Sequence, residues 1–115
     1  MTTTTTGDRQ TGRTSAALRT FDELASRRRG AIYVVGSPAE RAYTLSLARS
    51  LGLRHVRSAQ VVTVHAVAVS GRLRGLYRSD VLLDHAALDG AARRDRDRLL
   101  AELDLLAQLT LKDAL

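Results

Sequence analysis

A chain of 115 residues with 44% hydrophobic and 26% charged residues accommodates one domain with a modest core and excludes two independent ones. The absence of cysteine excludes disulfides and thiolate metal sites and fits a reducing cytoplasm, and no apolar run approaches the length of a membrane span or of a secretory signal. The formal charge of +6 is carried almost wholly by arginine, since Lys112 is the only lysine, and favours polyanionic partners such as nucleotides or nucleic acid.

Residues 1–6, Met-Thr-Thr-Thr-Thr-Thr, are low-complexity and fit either a frayed tail or a short first strand, because threonine is β-branched. A helical pattern is predicted over 14–29. There Ala17, Leu18, Phe21, Leu24 and Ala25 form one apolar stripe, Arg27, Arg28 and Arg29 suit the last turn, and Gly30 supplies a stop. The run AIYVVG, 31–36, has the composition of a buried strand. SPAE, 37–40, is a helix start, with Ser37 as N-cap, Pro38 in the first helical position and Glu40 closing a capping box. That helix is expected to reach about Leu51, with Tyr43, Leu47, Ala48 and Leu51 turned inward.

Further along, VVTVHA (61–66) is expected to be a strand continuing as far as Val69, and GRLRGLYRS (71–79) a basic loop or short helix. DVLLDHAAL (80–88) contains a strand ending at Asp84, and an amphipathic helix is predicted over 92–109 with Leu99, Leu100, Leu103, Leu106 and Leu109 on one side. Alternating strands and helices imply an α/β domain of three layers with a mostly parallel sheet of about four strands. That helix packs either on its own sheet or against a partner, a second copy included.

One stretch has the spacing of a nucleotide site. Gly7-Asp8-Arg9-Gln10-Thr11-Gly12-Arg13-Thr14 matches G-x-x-x-x-G-[K→R]-T, a Walker A-like phosphate loop with arginine in the lysine position. Such a loop needs glycines so that backbone amides curl round an anion, a cation for the terminal phosphates, a hydroxyl for Mg²⁺ and a helix behind it. VLLDH, 81–85, has the form of the second element, a buried strand that delivers a carboxylate to the metal shell. The competing explanations are a solvated polar leader and an aspartate that merely caps a strand end.

On GDRQTGRTS, VVGSPAERAYTLSLARSLG and VLLDHAAL the chain resembles the P-loop NTPase superfamily, in particular the first half of a helicase-like or terminase-like core. The resemblance covers most of residues 7–88. It implies that Gly7, Gly12, Arg13, Thr14 and Ser15 bind the phosphates of ATP, that Thr14 and Asp84 hold Mg²⁺, and that His85 stands where many hydrolysing members carry the catalytic glutamate. Arg13 in place of lysine, five threonines where an apolar strand is expected, and no obvious general base next to Asp84 other than His85 imply weak or absent hydrolysis. Small size and arginine richness are also similar to accessory proteins of phages of high-GC bacteria.

Outside that constellation, Arg72, Arg74 and Arg78 form a candidate phosphate-backbone patch with Tyr77 available to stack, against the plainer reading of a solvated loop. Two functions follow as expectations. One is a small ATP-binding protein acting in the cytoplasm. The other is a degenerate fold of the same type that binds no nucleotide and serves as a DNA-binding or assembly module.

Overall fold

The computed structural model describes the backbone of residues 4–73, 75–89 and 91–114 and, within these, the side chains from 12 to 108. In chain order the elements are α1 (Thr4–Arg27), β1 (Ile32–Val35), α2 (Pro38–Ser50), β2 (Val61–Thr63), α3 (Val64–Ser70), β3 (Val81–Leu83) and α4 (Arg93–Ala114). Single 3₁₀ turns, Ser58–Gln60 and Arg78–Asp80, lead into β2 and β3. The expected α/β architecture is present, and among the described residues the sheet is parallel with three strands rather than about four, in the order β2-β1-β3.

β1 lies in the middle, and all four of its residues are buried. Its side chains alternate between two cores, as a pleated strand requires. Tyr33 and Val35 join Leu18, Phe21 and Ala25 of α1 and Ala48 of α2 on one face. Ile32 and Val34 join Val64 and Val67 of α3 and Leu99, Leu103 and Leu106 of α4 on the other. The strand order explains this layering. β1→β2 steps one way across the sheet and β2→β3 steps back past β1, so right-handed crossovers place α2 and α3 on opposite faces.

The two outer strands begin alike. In each preceding 3₁₀ turn the third side chain accepts the backbone N–H of the residue three positions earlier: Gln60 from Arg57 at 3.2 Å, and Asp80 from Tyr77 at 3.0 Å. Asp80 is buried and also pairs with the guanidinium of Arg28, which ties the end of α1 to the entry of β3. This ion pair, led by its hydrogen bond, raises the Arg28 pKa further above its ordinary value. Arginines also claim edge-strand carbonyls. Arg41 Nε donates to Val61 O at 2.7 Å and Arg41 Nη2 to Ser58 O at 2.6 Å, while Arg78 Nη1 donates to Val81 O at 2.8 Å.

Several elements differ from the sequence expectation. The first helix begins at Thr4, so 4–6 are neither tail nor strand, and residues 1–3 lie outside the described residues. Once the Leu18–Phe21–Ala25 stripe has nucleated a helix, extending it is cheap, and no proline stops it. The strand expected over 61–66 ends at Thr63, whose hydroxyl accepts the N–H of Ala66 at 3.1 Å and starts α3. β-branched valines disguised that helix, although Val64, Val67 and Ala68 are buried at helical spacing. In α2 the buried residues are Thr44 and Ala48, whereas Tyr43 is 49% exposed. Ser37 caps Glu40 as expected, but the Glu40 carboxylate takes the N–H of Gly36 rather than that of Ser37.

α4 shows which leucines carry the core: Leu99, Leu103 and Leu106 are buried, while Leu100 and Leu105 are 43% and 54% exposed. The side chain of Leu109 lies outside the described residues. Leu99→Ala is expected to cost about 2–5 kcal/mol in urea denaturation, whereas Leu105→Ala should change stability by under about 0.5 kcal/mol. Equal costs for the two would show the helix to be rotated from this packing.

Candidate functional site

In a parallel sheet all strands share a carboxyl edge and an amino edge, and this molecule has a distinct cleft at each. At the carboxyl edge a cleft of about 180 Å³ is lined by Thr14, Glu40, Tyr43, Thr44, Asp84, His85 and Ala86. It sits where β1 and β3 diverge into connections on opposite faces, the switch point at which open α/β sheets commonly bind ligands.

Asp84 follows β3 directly and is buried. Its Oδ1 accepts the Tyr33 hydroxyl at 2.5 Å and the Thr14 hydroxyl at 3.4 Å, and its Oδ2 accepts the N–H of Ala86 at 3.2 Å. Thr14 and Asp84, the two magnesium ligands implied by resemblance, therefore do meet across 70 positions of sequence. They meet as hydrogen-bond partners. Burial above all, then the hydrogen bond to Asp84 and its negative charge, hold the Tyr33 hydroxyl well above the ordinary tyrosine range. The His85 ring lies with Nδ1 3.8 Å from Asp84 Oδ1, beyond hydrogen-bond distance, and that nitrogen has no partner among the described residues. At Nδ1, therefore, no hydrogen bond among the described residues fixes the tautomer that a general base needs.

The phosphate loop is not formed. Gly7, Gly12, Arg13, Thr14 and Ser15 all lie inside α1, whose ladder takes up the backbone amides of 8–13 that a loop would turn toward an anion. Gly12 has no positive φ, and a Cβ placed on it would meet nothing within 4 Å, so neither glycine conformation nor close approach is required there. Spacing alone carried the motif; the local helix overrides it. Among the described residues no three His, Asp or Glu side chains converge as metal ligands. The cleft supplies two carboxylates, Glu40 and Asp84, of the kind that hold Mg²⁺, but the helical backbone of α1 offers no cradle of amides for the phosphates of a bound triphosphate.

The amino edge is different in charge. A cleft of about 390 Å³ is walled by Ala25, Ser26, Arg29, His55, Arg57, Ala59, Gln60 and Arg72, with no carboxylate among them. A second hollow of about 290 Å³ lies across the arginine triplet, lined by Arg27, Arg28, Arg29, Gly30, Gly75, Leu76 and Asp80. Arg29 borders both. The loops explain this placement: α1 and α2 run back to the amino edge, and the turns into β2 and β3 start there.

Of the three arginines expected to contact nucleic acid, Arg72 is in the larger cleft and donates to Ala59 O at 2.7 Å. Arg78 is committed to Val81 O, and Arg74 lies outside the described residues. Sequence reasoning missed Arg29, His55 and Arg57, which come from two connections, α1–β1 and α2–β2, and become neighbours of one another and of Arg72 only when the strand starts are aligned. It also missed Tyr33 as the partner of Asp84. The signal for that was a lone hydroxyl in an apolar strand, which must find an acceptor.

The Tyr33–Asp84 pair has a pH consequence. Because the folded state raises the Tyr33 pKa, the unfolded chain loses that proton first, and stability falls as pH rises above about 10. Urea denaturation between pH 8 and 11 should show this fall, and Tyr33→Phe should flatten it while lowering stability at pH 8. An unchanged slope in Tyr33→Phe would mean the hydroxyl is not held as described. No protein-family model matches the chain, and neither curated proteins nor solved structures give a significant match.

Proposed function

We propose that the chain is a nucleic-acid-associated binding module that engages phosphodiester backbones through the amino edge of its sheet. The observation that carries this reading is the 390 Å³ cleft walled by Arg29, His55, Arg57 and Arg72 without a carboxylate. Guanidinium groups present planar donors matched to phosphate oxygens, and the overall charge of +6 favours approach of a polyanion. Arg29 and Arg57 are exposed, so their substitution leaves the core intact. Among the described residues no helix is long and apolar enough to cross a membrane.

Binding to a labelled oligonucleotide should weaken steeply with salt. Replacing Arg29 and Arg57 by glutamine should lower the log–log salt slope by about 1 for each phosphate that is no longer neutralised. Affinity insensitive to both salt and the double substitution would overturn this function.

A second reading places a nucleotide in the carboxyl-edge cleft, favoured by its position at the switch point and by the meeting of Thr14 and Asp84. Without a formed loop such binding would be weak and hydrolysis absent. Thermal denaturation of the parent chain and of Gly12→Ala separates the possibilities. In a helix the substitution stabilises by about 0.5–1 kcal/mol. In a phosphate loop it destabilises and abolishes any shift caused by Mg-ATP. A Mg-ATP-dependent rise that Gly12→Ala removes would restore the loop and this second reading with it.

A further inference from the structure

The smaller hollow at the amino edge has an aromatic neighbour. Tyr77 follows Gly75 and Leu76, which line that hollow, and the residue is 45% exposed. The Arg28 guanidinium carbon sits over the ring, 5.3 Å from its centroid, a cation–π arrangement. The pair is held firmly. Arg28 is bound to the buried carboxylate of Asp80, and the same carboxylate takes the N–H of Tyr77. The arginine side chain and the tyrosine backbone are thus fixed by one anchor. Gly75, with φ of +83°, makes the turn that brings Tyr77 to this edge, a conformation that side-chain-bearing residues rarely adopt.

The arginine-walled cleft and the smaller hollow share Arg29, and Tyr77 stands next to that hollow through Leu76 and Arg28, which line it, so two kinds of recognition surface occupy the same edge. One is the arginine-walled cleft, which suits a phosphate. The other is a half-exposed tyrosine with a guanidinium over its ring, which suits the flat face of a base. A base in a duplex keeps its faces stacked on its neighbours and cannot offer them to a side chain, whereas an unpaired base can.

We infer that the amino edge binds single-stranded nucleic acid, with a backbone phosphate in the Arg29–Arg57–Arg72 cleft and an adjacent base stacked on Tyr77. The inference rests on the phosphodiester reading proposed above and adds to it the strandedness of the ligand and the residue that senses it. The contact is to the face of the base, so it carries little sequence preference. Arg28 acts as a positioning residue for the ring, and Asp80 positions Arg28.

Fluorescence anisotropy with a single-stranded oligonucleotide and a duplex of the same length tests this, using the full chain with Tyr77→Leu and Tyr77→Phe. The single strand should bind more tightly than the duplex. Tyr77→Leu should weaken single-strand binding about 5- to 100-fold and leave duplex binding unchanged, and Tyr77→Phe should retain the parent affinity because the ring remains. Both substitutions keep the backbone N–H that Asp80 accepts, and circular dichroism would verify that each variant folds. Equal affinity for the two oligonucleotides, with Tyr77→Leu silent, overturns the stacking inference and leaves the phosphodiester reading standing. Binding to neither oligonucleotide overturns both.

Discussion

The fold depends on one fully buried strand. β1 has helices over both faces and a strand on each side, so every polar group it carries must be satisfied from within. Its backbone is satisfied by the ladders to β2 and β3. Its one polar side chain, Tyr33, is satisfied by Asp84, the residue that follows β3. The consequence runs outward. Asp84 is held against β1 and so stands at the carboxyl edge, Thr14 of α1 joins it, and the cleft there is lined in part by groups that already serve one another. An unsatisfied hydroxyl at that depth would cost about 1–3 kcal/mol, and the contacts of Asp84 are of a kind that prevents it.

The same accounting separates the two ends of the molecule. At the carboxyl edge the polar groups are largely spoken for by neighbours, with Glu40 on the N–H of Gly36 and Asp84 on three donors. At the amino edge the strand entries are organised by Gln60 and Asp80, which leaves Arg29 and Arg57 to face solvent around an open cleft. A site built for a partner is more readily found where charge is uncompensated than where it is internally neutralised. On that physical ground the amino edge takes precedence, although the carboxyl edge has the more familiar position in an open α/β sheet.

Much of the fold was legible in the chain, for reasons particular residues make plain. AIYVVG could hardly be anything but a buried strand, and Ser37-Pro38 fixes the start of α2 through chemistry local to four residues. The Leu18–Phe21–Ala25 stripe and the Leu99–Leu103–Leu106 stripe placed two helices on the sheet. What failed was of two kinds. A motif defined by spacing, GDRQTGRTS, said nothing about the backbone that would have to curl, and the helix behind it propagated through both glycines. A run of valines hid the start of α3, where one threonine hydroxyl decides between strand and helix. The arginine-walled cleft was illegible because its residues come from three separate connections.

The arginines on the sheet edges bear on why this chain uses arginine so nearly to the exclusion of lysine. Arg41 reaches two carbonyls at once, those of Ser58 and Val61, from nitrogens fixed in a single plane. An ammonium group carries the same charge, but its donors radiate from one atom at the end of a freely rotating stem, so it holds such a pair less well. At this position the residue occupies one carbonyl of edge strand β2, that of Val61, and one of the turn before it, that of Ser58, so that this end of the edge is finished. A sheet so finished resists extension by a neighbouring molecule's strand, because the incoming backbone would first have to evict a guanidinium. Part of what registers as positive charge in the composition is therefore hydrogen-bonding hardware, and the charge left over for a partner is smaller and more local than the total implies.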